Sequence, residues 1–180
     1  MKCPHCDAEI NKGLNQCPFC YADLTAPPVA QDISQVGVSP LDSYSIGHVA
    51  MGVMAWLIIS LGYSIYQYYG FPPLFELWVV FLLTLLFAVV WELFENTIFW
   101  YMGKKFENRR DSILNSIWDI IFVMLGAVIF WIFWYLYVAI CGYAGRWYYL
   151  IGFITFSLLV IIFVYSLKFI KKTSEKKWIS

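Results

Sequence analysis

The chain has 180 residues, of which 61% are hydrophobic, 21% aromatic and 13% charged, with 12 basic and 12 acidic side chains. Soluble globular domains carry about 25% charged residues, so this composition excludes an ordinary soluble domain and predicts a membrane protein. The basic residues are concentrated in an N-terminal segment, a central loop and the C-terminal tail, so their distribution is more informative than the net charge of zero.

Two Cys-x-x-Cys pairs stand near the N-terminus with ten residues between them. Such pairs supply the four thiolates of a tetrahedral structural Zn²⁺ site. Two disulfides are the alternative, but they need an oxidising compartment and are unusual between cysteines so close in sequence. We therefore predict a zinc ribbon over residues 1–24. Its predicted zinc ligands are Cys3, Cys6, Cys17 and Cys20.

The same segment resembles the short prokaryotic zinc-ribbon domains written CPxCGxxL…CPxCGxxL, although Asp7 and Tyr21 stand where that pattern has glycine. A ribbon of this size lacks a hydrophobic core, so the metal supplies its folding energy. Zinc bound by four thiolates has no open coordination position, and its predicted role is structural.

Residues 25–42 are rich in Pro, Gly, Ser and Gln and predict a flexible linker. Four apolar segments follow, and each has the roughly 20 residues that a membrane-spanning helix needs. They run from about Ser45 to Tyr69, Leu74 to Met102, Ile113 to Ile140 and Trp147 to Ile170. The predicted fold is an all-α membrane protein with a four-helix transmembrane domain over residues 43–172, a small N-terminal zinc ribbon and a basic cytoplasmic tail over residues 173–180.

The depth of Glu92 in the membrane depends on where the helix of the second span begins and ends. Its charge-free run, residues 77–91, has only fifteen residues, so the helix must also include either residues 74–76 or those beyond Glu95. In the second case Glu92 lies on the order of 15 Å below the interface, at about 1.5 Å per residue. A lipid-facing carboxylate at that depth is costly, so we expect Glu92 to face the bundle interior.

Basic residues predict the orientation, because they favour the cytoplasmic side of a membrane. With both termini inside, eleven of the 12 lie in cytoplasmic segments and only Arg146 lies outside. The predicted location is therefore the cell membrane, with the ribbon in the reducing cytoplasm. The fifth cysteine, Cys141, is expected to be an ordinary buried small residue.

Polar residues gather at the predicted cytoplasmic side of three spans. On the second span Glu92, Glu95 and Asn96 have the spacing i, i+3 and i+4, which places them on one helix face. On the first span a small-residue face around His48 favours close helix packing and would bring its imidazole toward the carboxylates. The third span adds a stripe at i, i+4 and i+8: Asp111, Asn115 and Asp119.

Two kinds of chemistry suit these groups. Carboxylates with an imidazole and an amide are ligands for a second divalent metal, and Arg109 or Arg110 could hold the phosphate of a lipid headgroup. Alternatively, two neighbouring carboxylates separate each other's pKa values, so that one serves as a general acid while His48 serves as base. The structural alternative is that the polar groups only cross-link helices and the arginines only anchor the chain to anionic lipids.

Three motifs, DSYSIGHV at 42–49, WELFEN at 91–96 and DSILNSIWD at 111–119, resemble those of an uncharacterised family of small bacterial multi-pass membrane proteins. The chain is more distantly similar to VanZ-like proteins. The resemblance covers about residues 42–130, although Arg110 replaces a glycine, and it implies a site without assigning a reaction. The implied functional residues are Asp42, His48, Glu92, Glu95, Asn96, Asp111, Ser112, Asn115 and Asp119.

Two functions stay open, and the sequence does not decide whether the protein is an enzyme. The first is metal-dependent binding or modification of a lipid or envelope-precursor headgroup, and the second is a non-catalytic adaptor whose ribbon recruits a cytoplasmic protein. Nucleic acid is disfavoured as a partner because acidic residues outnumber basic ones in the ribbon. The candidate catalytic residues are His48, Glu92, Glu95, Asp111 and Asp119. The candidate substrate-binding residues are Asn96, Arg109, Arg110, Ser112 and Asn115.

Overall fold

The computed structural model describes residues 2–3, 6, 8–11, 17–20, 24, 27–30, 35–103, 105 and 110–177, with side chains to residue 172. Within these residues the chain forms four long helices and no strand, apart from two isolated β-bridges. The predicted all-helical fold is confirmed. The helices are α1 (Ser45–Tyr68), α2 (Leu77–Phe94), which continues as a π-helical turn (Glu95–Phe99), α3 (Ile113–Cys141) and α4 (Arg146–Lys177).

Each helix contains a stretch long and apolar enough to cross a membrane, which confirms the expected four spans. The second span, Leu77–Phe99, has 23 residues and begins after the turn that contains Pro72 and Pro73. The carbonyl of Glu76 accepts the N–H of Val79 at 2.9 Å, so the helix starts there rather than at Leu74. The span therefore continues beyond Glu95 and includes Glu92.

The chain divides into two compact units. The first consists of Met1–Ser45, Trp91–Asp119 and Phe163–Ser180, and it contains the cysteines of the ribbon and most of the candidate polar residues. The second consists of Ile46–Val90 and Ile120–Ile162.

The second unit is built around aromatic side chains of α1, α3 and α4. Trp56 and Tyr148 are completely buried, and the indole Nε1–H of Trp56 donates to the Tyr148 hydroxyl at 3.0 Å. That hydroxyl donates in turn to the carbonyl of Phe130 at 3.3 Å. Each buried polar atom of these two side chains thus has a partner, as the membrane interior requires.

Two glycines bring α1 and α3 into backbone contact. A Cβ atom on Gly52 would collide with the carbonyl of Val123, and one on Gly126 would collide with the carbonyl of Val49. Small residues permit this approach between membrane helices. The small-residue face expected on α1 is therefore used against α3.

Candidate functional site

Four cysteines form a compact cluster in the first unit. Their Sγ atoms all lie within 4.8 Å of one another, and the Cys3–Cys20 and Cys6–Cys17 pairs are each separated by 3.7 Å. A disulfide would need about 2.05 Å, whereas sulfurs around a tetrahedral Zn²⁺, each about 2.3 Å from the metal, lie roughly 3.8 Å apart. The cluster fits a metal site and is consistent with a small zinc ribbon.

The electrostatics of Cys17 also suit a metal ligand. Burial raises the pKa of its thiol, but the backbone N–H groups of Cys20 and Phe19 bind the sulfur and, together with the other thiols, lower the pKa to about 7. A thiolate is the form that binds metal. The surroundings of Cys17 therefore favour the thiolate, which is the state that a metal ligand requires.

Asn96 lies at the centre of a hydrogen-bond network in the π-helical turn. Its amide nitrogen donates to Glu92 Oε2 at 3.1 Å and to Ser116 Oγ at 3.3 Å. Its amide oxygen accepts from Lys105 Nζ at 2.7 Å and from the backbone N–H of Asp111 at 2.9 Å. Single π-helical turns within α-helices are frequent at functional sites. Through its hydrogen bonds to Asp111 and Ser116, Asn96 links the end of the second span to the beginning of α3.

Lys105 is a buried cation in the same network. Its side chain is 4% exposed, forms an ion pair with Asp111 and lies 3.9 Å from Glu95. Lysine is rarely buried unless it is paired, and here two carboxylates and the Asn96 amide surround it. The ammonium group therefore neutralises part of the negative charge.

Residues 36–39 connect the cysteine cluster to the beginning of α3. Val38 packs against the buried cysteines, and its carbonyl accepts the Ser112 hydroxyl at 3.0 Å. Asn115 Nδ2 donates to the carbonyl of Ser39 at 2.9 Å. Ser112 also caps α3, because its Oγ accepts the N–H of Asn115 at 3.0 Å. The side chains of Ser112 and Asn115 thus bind backbone in this structure.

Gly37 lies where this segment passes closest to Asp111. It has φ +75°, its carbonyl accepts the N–H of Ser112 at 2.9 Å, and a Cβ atom there would collide with the carboxylate of Asp111. Its own N–H donates to Asp42 Oδ2 at 2.8 Å. No side chain other than hydrogen fits this conformation and this space.

Asp42 organises the start of α1. Its Oδ1 accepts the N–H groups of Tyr44 and Ser45, at 2.8 and 3.2 Å, while its own N–H donates to Ser45 Oγ at 3.0 Å. This reciprocal pattern is that of a capping box. Burial raises the pKa of the Asp42 carboxyl, and the N–H groups of Gly37, Tyr44 and Ser45 oppose that rise.

The cluster contains more acidic than basic groups. Asp119 and Glu92 are 2% and 5% exposed, and Asp119 interacts electrostatically with the four other carboxylates. Among the described residues Lys105 is the one basic side chain that offsets this charge. Burial raises the pKa of Asp111, while Lys105 lowers it. The interacting carboxylates are Asp42, Glu92, Glu95, Asp111 and Asp119.

The other predicted site residues lie in different surroundings. His48 is the fourth residue of α1, is 5% exposed and belongs to the second unit. Arg110 is exposed, and its guanidinium lies 4.0 Å from the centre of the Trp100 ring, a cation–π contact. Arg109 lies outside the described residues. Cys141 is exposed, so the expectation that it is buried was wrong.

Sequence reasoning missed Lys105 and the segment at residues 36–39. In the sequence Lys105 is only one of the basic residues of the predicted cytoplasmic loop, although the surplus of nearby carboxylates is a signal for a buried cation. The segment falls within the predicted flexible linker at residues 25–42, and its alternating Val36 and Val38, both buried, are the sequence signal for packing. The predicted domain boundaries themselves stay a prediction.

A comparison with protein families finds a match over residues 39–140 to the family described as "Predicted membrane protein (DUF2238)". The matched region includes α1, α2, the π-helical turn and nearly all of α3, and it contains the five interacting carboxylates. Comparisons with curated proteins and with solved structures find no match. The match spans more than half of the chain and agrees with the four membrane-length helices. This chain therefore belongs to the DUF2238 family of membrane proteins.

Proposed function

We propose that this membrane protein uses its buried polar cluster to bind a divalent cation and, through it, the phosphate of a lipid or envelope-precursor headgroup at the cytoplasmic side. The observation that carries the proposal is the charge imbalance: five interacting carboxylates are offset by one basic residue among the described side chains. Buried carboxylates in such excess must be protonated or bind cations. Hard divalent cations prefer oxygen ligands of this kind.

Within the cluster, we propose Glu92 and Asp119 as metal ligands, because they are the two most buried of its acidic groups. Both residues lie in the first unit, and carboxylate oxygens suit Mg²⁺, Ca²⁺ and Mn²⁺. Asn96 would orient Glu92 through the hydrogen bond to Oε2, as outer partners orient metal ligands.

The phosphate is assigned to the basic groups near the end of the second span. Arg110 is exposed and already fixed against Trp100, so its guanidinium is available to a headgroup. We propose Arg109 as its neighbour in this role. A bound metal would polarise a phosphate oxygen.

The test uses the purified full-length protein and Mn²⁺ as a paramagnetic probe. We expect one Mn²⁺ to bind outside the cysteine cluster and its affinity to rise when glycerol 1-phosphate is added, since linked ligands strengthen each other. Glu92→Gln should abolish the binding of Mn²⁺, while Arg110→Gln should leave it intact and remove the effect of glycerol 1-phosphate. Unchanged Mn²⁺ binding in folded Glu92→Gln would contradict the proposal.

A second candidate function is a membrane adaptor whose ribbon recruits a cytoplasmic protein. It is favoured by Phe19, which lies between the ligands Cys17 and Cys20 and is 64% exposed. An exposed aromatic ring on a metal-stabilised turn is typical of protein contacts. Phe19→Ala should then abolish a cellular phenotype that Glu92→Gln leaves intact, whereas the opposite result would eliminate the adaptor.

A further inference from the structure

A cavity of about 760 Å³ opens at one end of the second unit, where α1 and α3 end and α4 begins. This volume lies within the range of roughly 300–1,000 Å³ that is typical of small-ligand sites. Its walls are rich in aromatic side chains, and they carry hydroxyl groups and one cation. The lining includes Ser64, Tyr68, Tyr143, Arg146, Trp147 and Tyr149.

Arg146 gives the cavity its charge. It is the only lysine or arginine between residues 111 and 167. Among the described residues every ion pair involves Lys105, so Arg146 has no carboxylate partner there, and its guanidinium lies 5.7 Å from the centre of the Trp147 ring. An exposed guanidinium in a membrane-embedded chain is a binding group for phosphate.

Helix dipoles do not cancel this charge. The C-termini of α1 and α3 each contribute about half a negative charge, and the N-terminus of α4 contributes about half a positive charge. With the full charge of Arg146 the cavity has a net positive charge of roughly one half. The electrostatic balance therefore favours an anion.

Hydroxyl groups in the cavity wall suit the polar part of a ligand. Ser64 lines the cavity, is 3% exposed and interacts with the Tyr149 hydroxyl. A hydroxyl can donate one hydrogen bond and accept others, so this pair retains the capacity to bind a phosphate or glycerol oxygen. The hydroxyls of Tyr68, Tyr143 and Tyr149 add further donors.

We infer that this cavity binds an anionic phospholipid, with the phosphate at Arg146 and the glycerol region among the tyrosines. The exposed apolar surfaces beside the cavity, such as Ile65 and Trp147, face the acyl chains of the same lipid. Aromatic residues with polar tips are the usual lining at the depth of lipid headgroups. The inference is independent of the metal site proposed above, which involves other residues.

The test is native mass spectrometry of the full-length protein in detergent, titrated with phosphatidylglycerol or phosphatidylcholine. We expect one phosphatidylglycerol to bind more tightly than phosphatidylcholine. Arg146→Gln should weaken the binding of phosphatidylglycerol by about tenfold, the effect of one lost charge-assisted contact. Arg146→Lys should retain part of it. The matched control is Lys171→Gln, which removes an exposed charge near the other end of α4 and should change nothing.

Three outcomes would overturn the inference: equal affinity for the two lipids, unchanged binding in Arg146→Gln, or an equal loss in Lys171→Gln. Thermal unfolding in detergent verifies that each variant is folded. Excess glycerol 3-phosphate should not displace the lipid, because the acyl chains supply much of its affinity. Complete displacement would identify the ligand as a free phosphate compound rather than a lipid.

Discussion

Lys105 is the residue on which the charge balance of the cluster depends. Replacing it with methionine would leave Asp111 buried without its cation, which typically costs about 3–5 kcal/mol. We expect Lys105→Met to lower the midpoint of thermal unfolding in detergent. Lys171→Met, which removes an exposed lysine, is the matched control and should have almost no effect. A midpoint unchanged by Lys105→Met would show that the ion pair contributes nothing.

The raised pKa values of Asp42 and Asp111 predict how the stability of the fold depends on pH. Burial raises the pKa of both carboxyl groups above the ordinary value of 3.8, so the folded state holds their protons more tightly than the unfolded state does. Their stabilising contribution is complete below that value and is lost as the pH rises through the raised pKa values.

In the presence of a metal chelator, the midpoint of thermal unfolding should therefore fall as the pH rises from about 4 toward neutral. A divalent cation should reduce this loss, because it neutralises the same carboxylates. Asp111→Asn should flatten the dependence. A midpoint that rises with pH over this range in the presence of chelator would contradict this interpretation of the cluster.

Among the elements, the α1–α3 contact makes the clearest prediction. Gly126 faces the carbonyl of Val49 so closely that an added methyl group forces the helices apart. We expect Gly126→Ala to lower the unfolding midpoint by an amount that corresponds to about 1–3 kcal/mol of overpacking. Ile129→Leu, at an exposed position of the same helix, is the control. Equal stability of the two variants would show that the contact is not tight.

Some features of these elements can be predicted from the sequence, and others cannot. Helix number and type were predictable because about 20 consecutive apolar residues are a local signal, and the cysteine cluster was predictable from the spacing of its two pairs. The sequence carries only weak signals for the packing of Val38 and the burial of Lys105, because each depends on residues more than five positions away in the chain. The π-helical turn at Glu95–Phe99 has no hydrophobic period or capping residue that distinguishes its sequence from that of an α-helix.

For the whole molecule, the proposed orientation places both termini in the cytoplasm. Cys141 is exposed at the end of α3, so a membrane-impermeant maleimide should label it in intact cells. The four ribbon cysteines should react only after permeabilisation and metal removal. Cys141→Ser is the control and should abolish the labelling of intact cells. Labelling of Cys141 only in permeabilised cells would reverse the orientation.

We propose that the buried carboxylates hold a divalent cation separate from a metal at the four cysteines. The most direct measurement is the metal content of the purified full-length protein, compared with that of Glu92→Gln/Asp119→Asn and of the variant with serine at all four ribbon cysteines. We predict that the carboxylate variant loses one metal and keeps the ribbon zinc, whereas the serine variant loses zinc and keeps the other metal. If the serine variant retains no metal while remaining folded, and the carboxylate variant retains the full wild-type content, the claim is wrong.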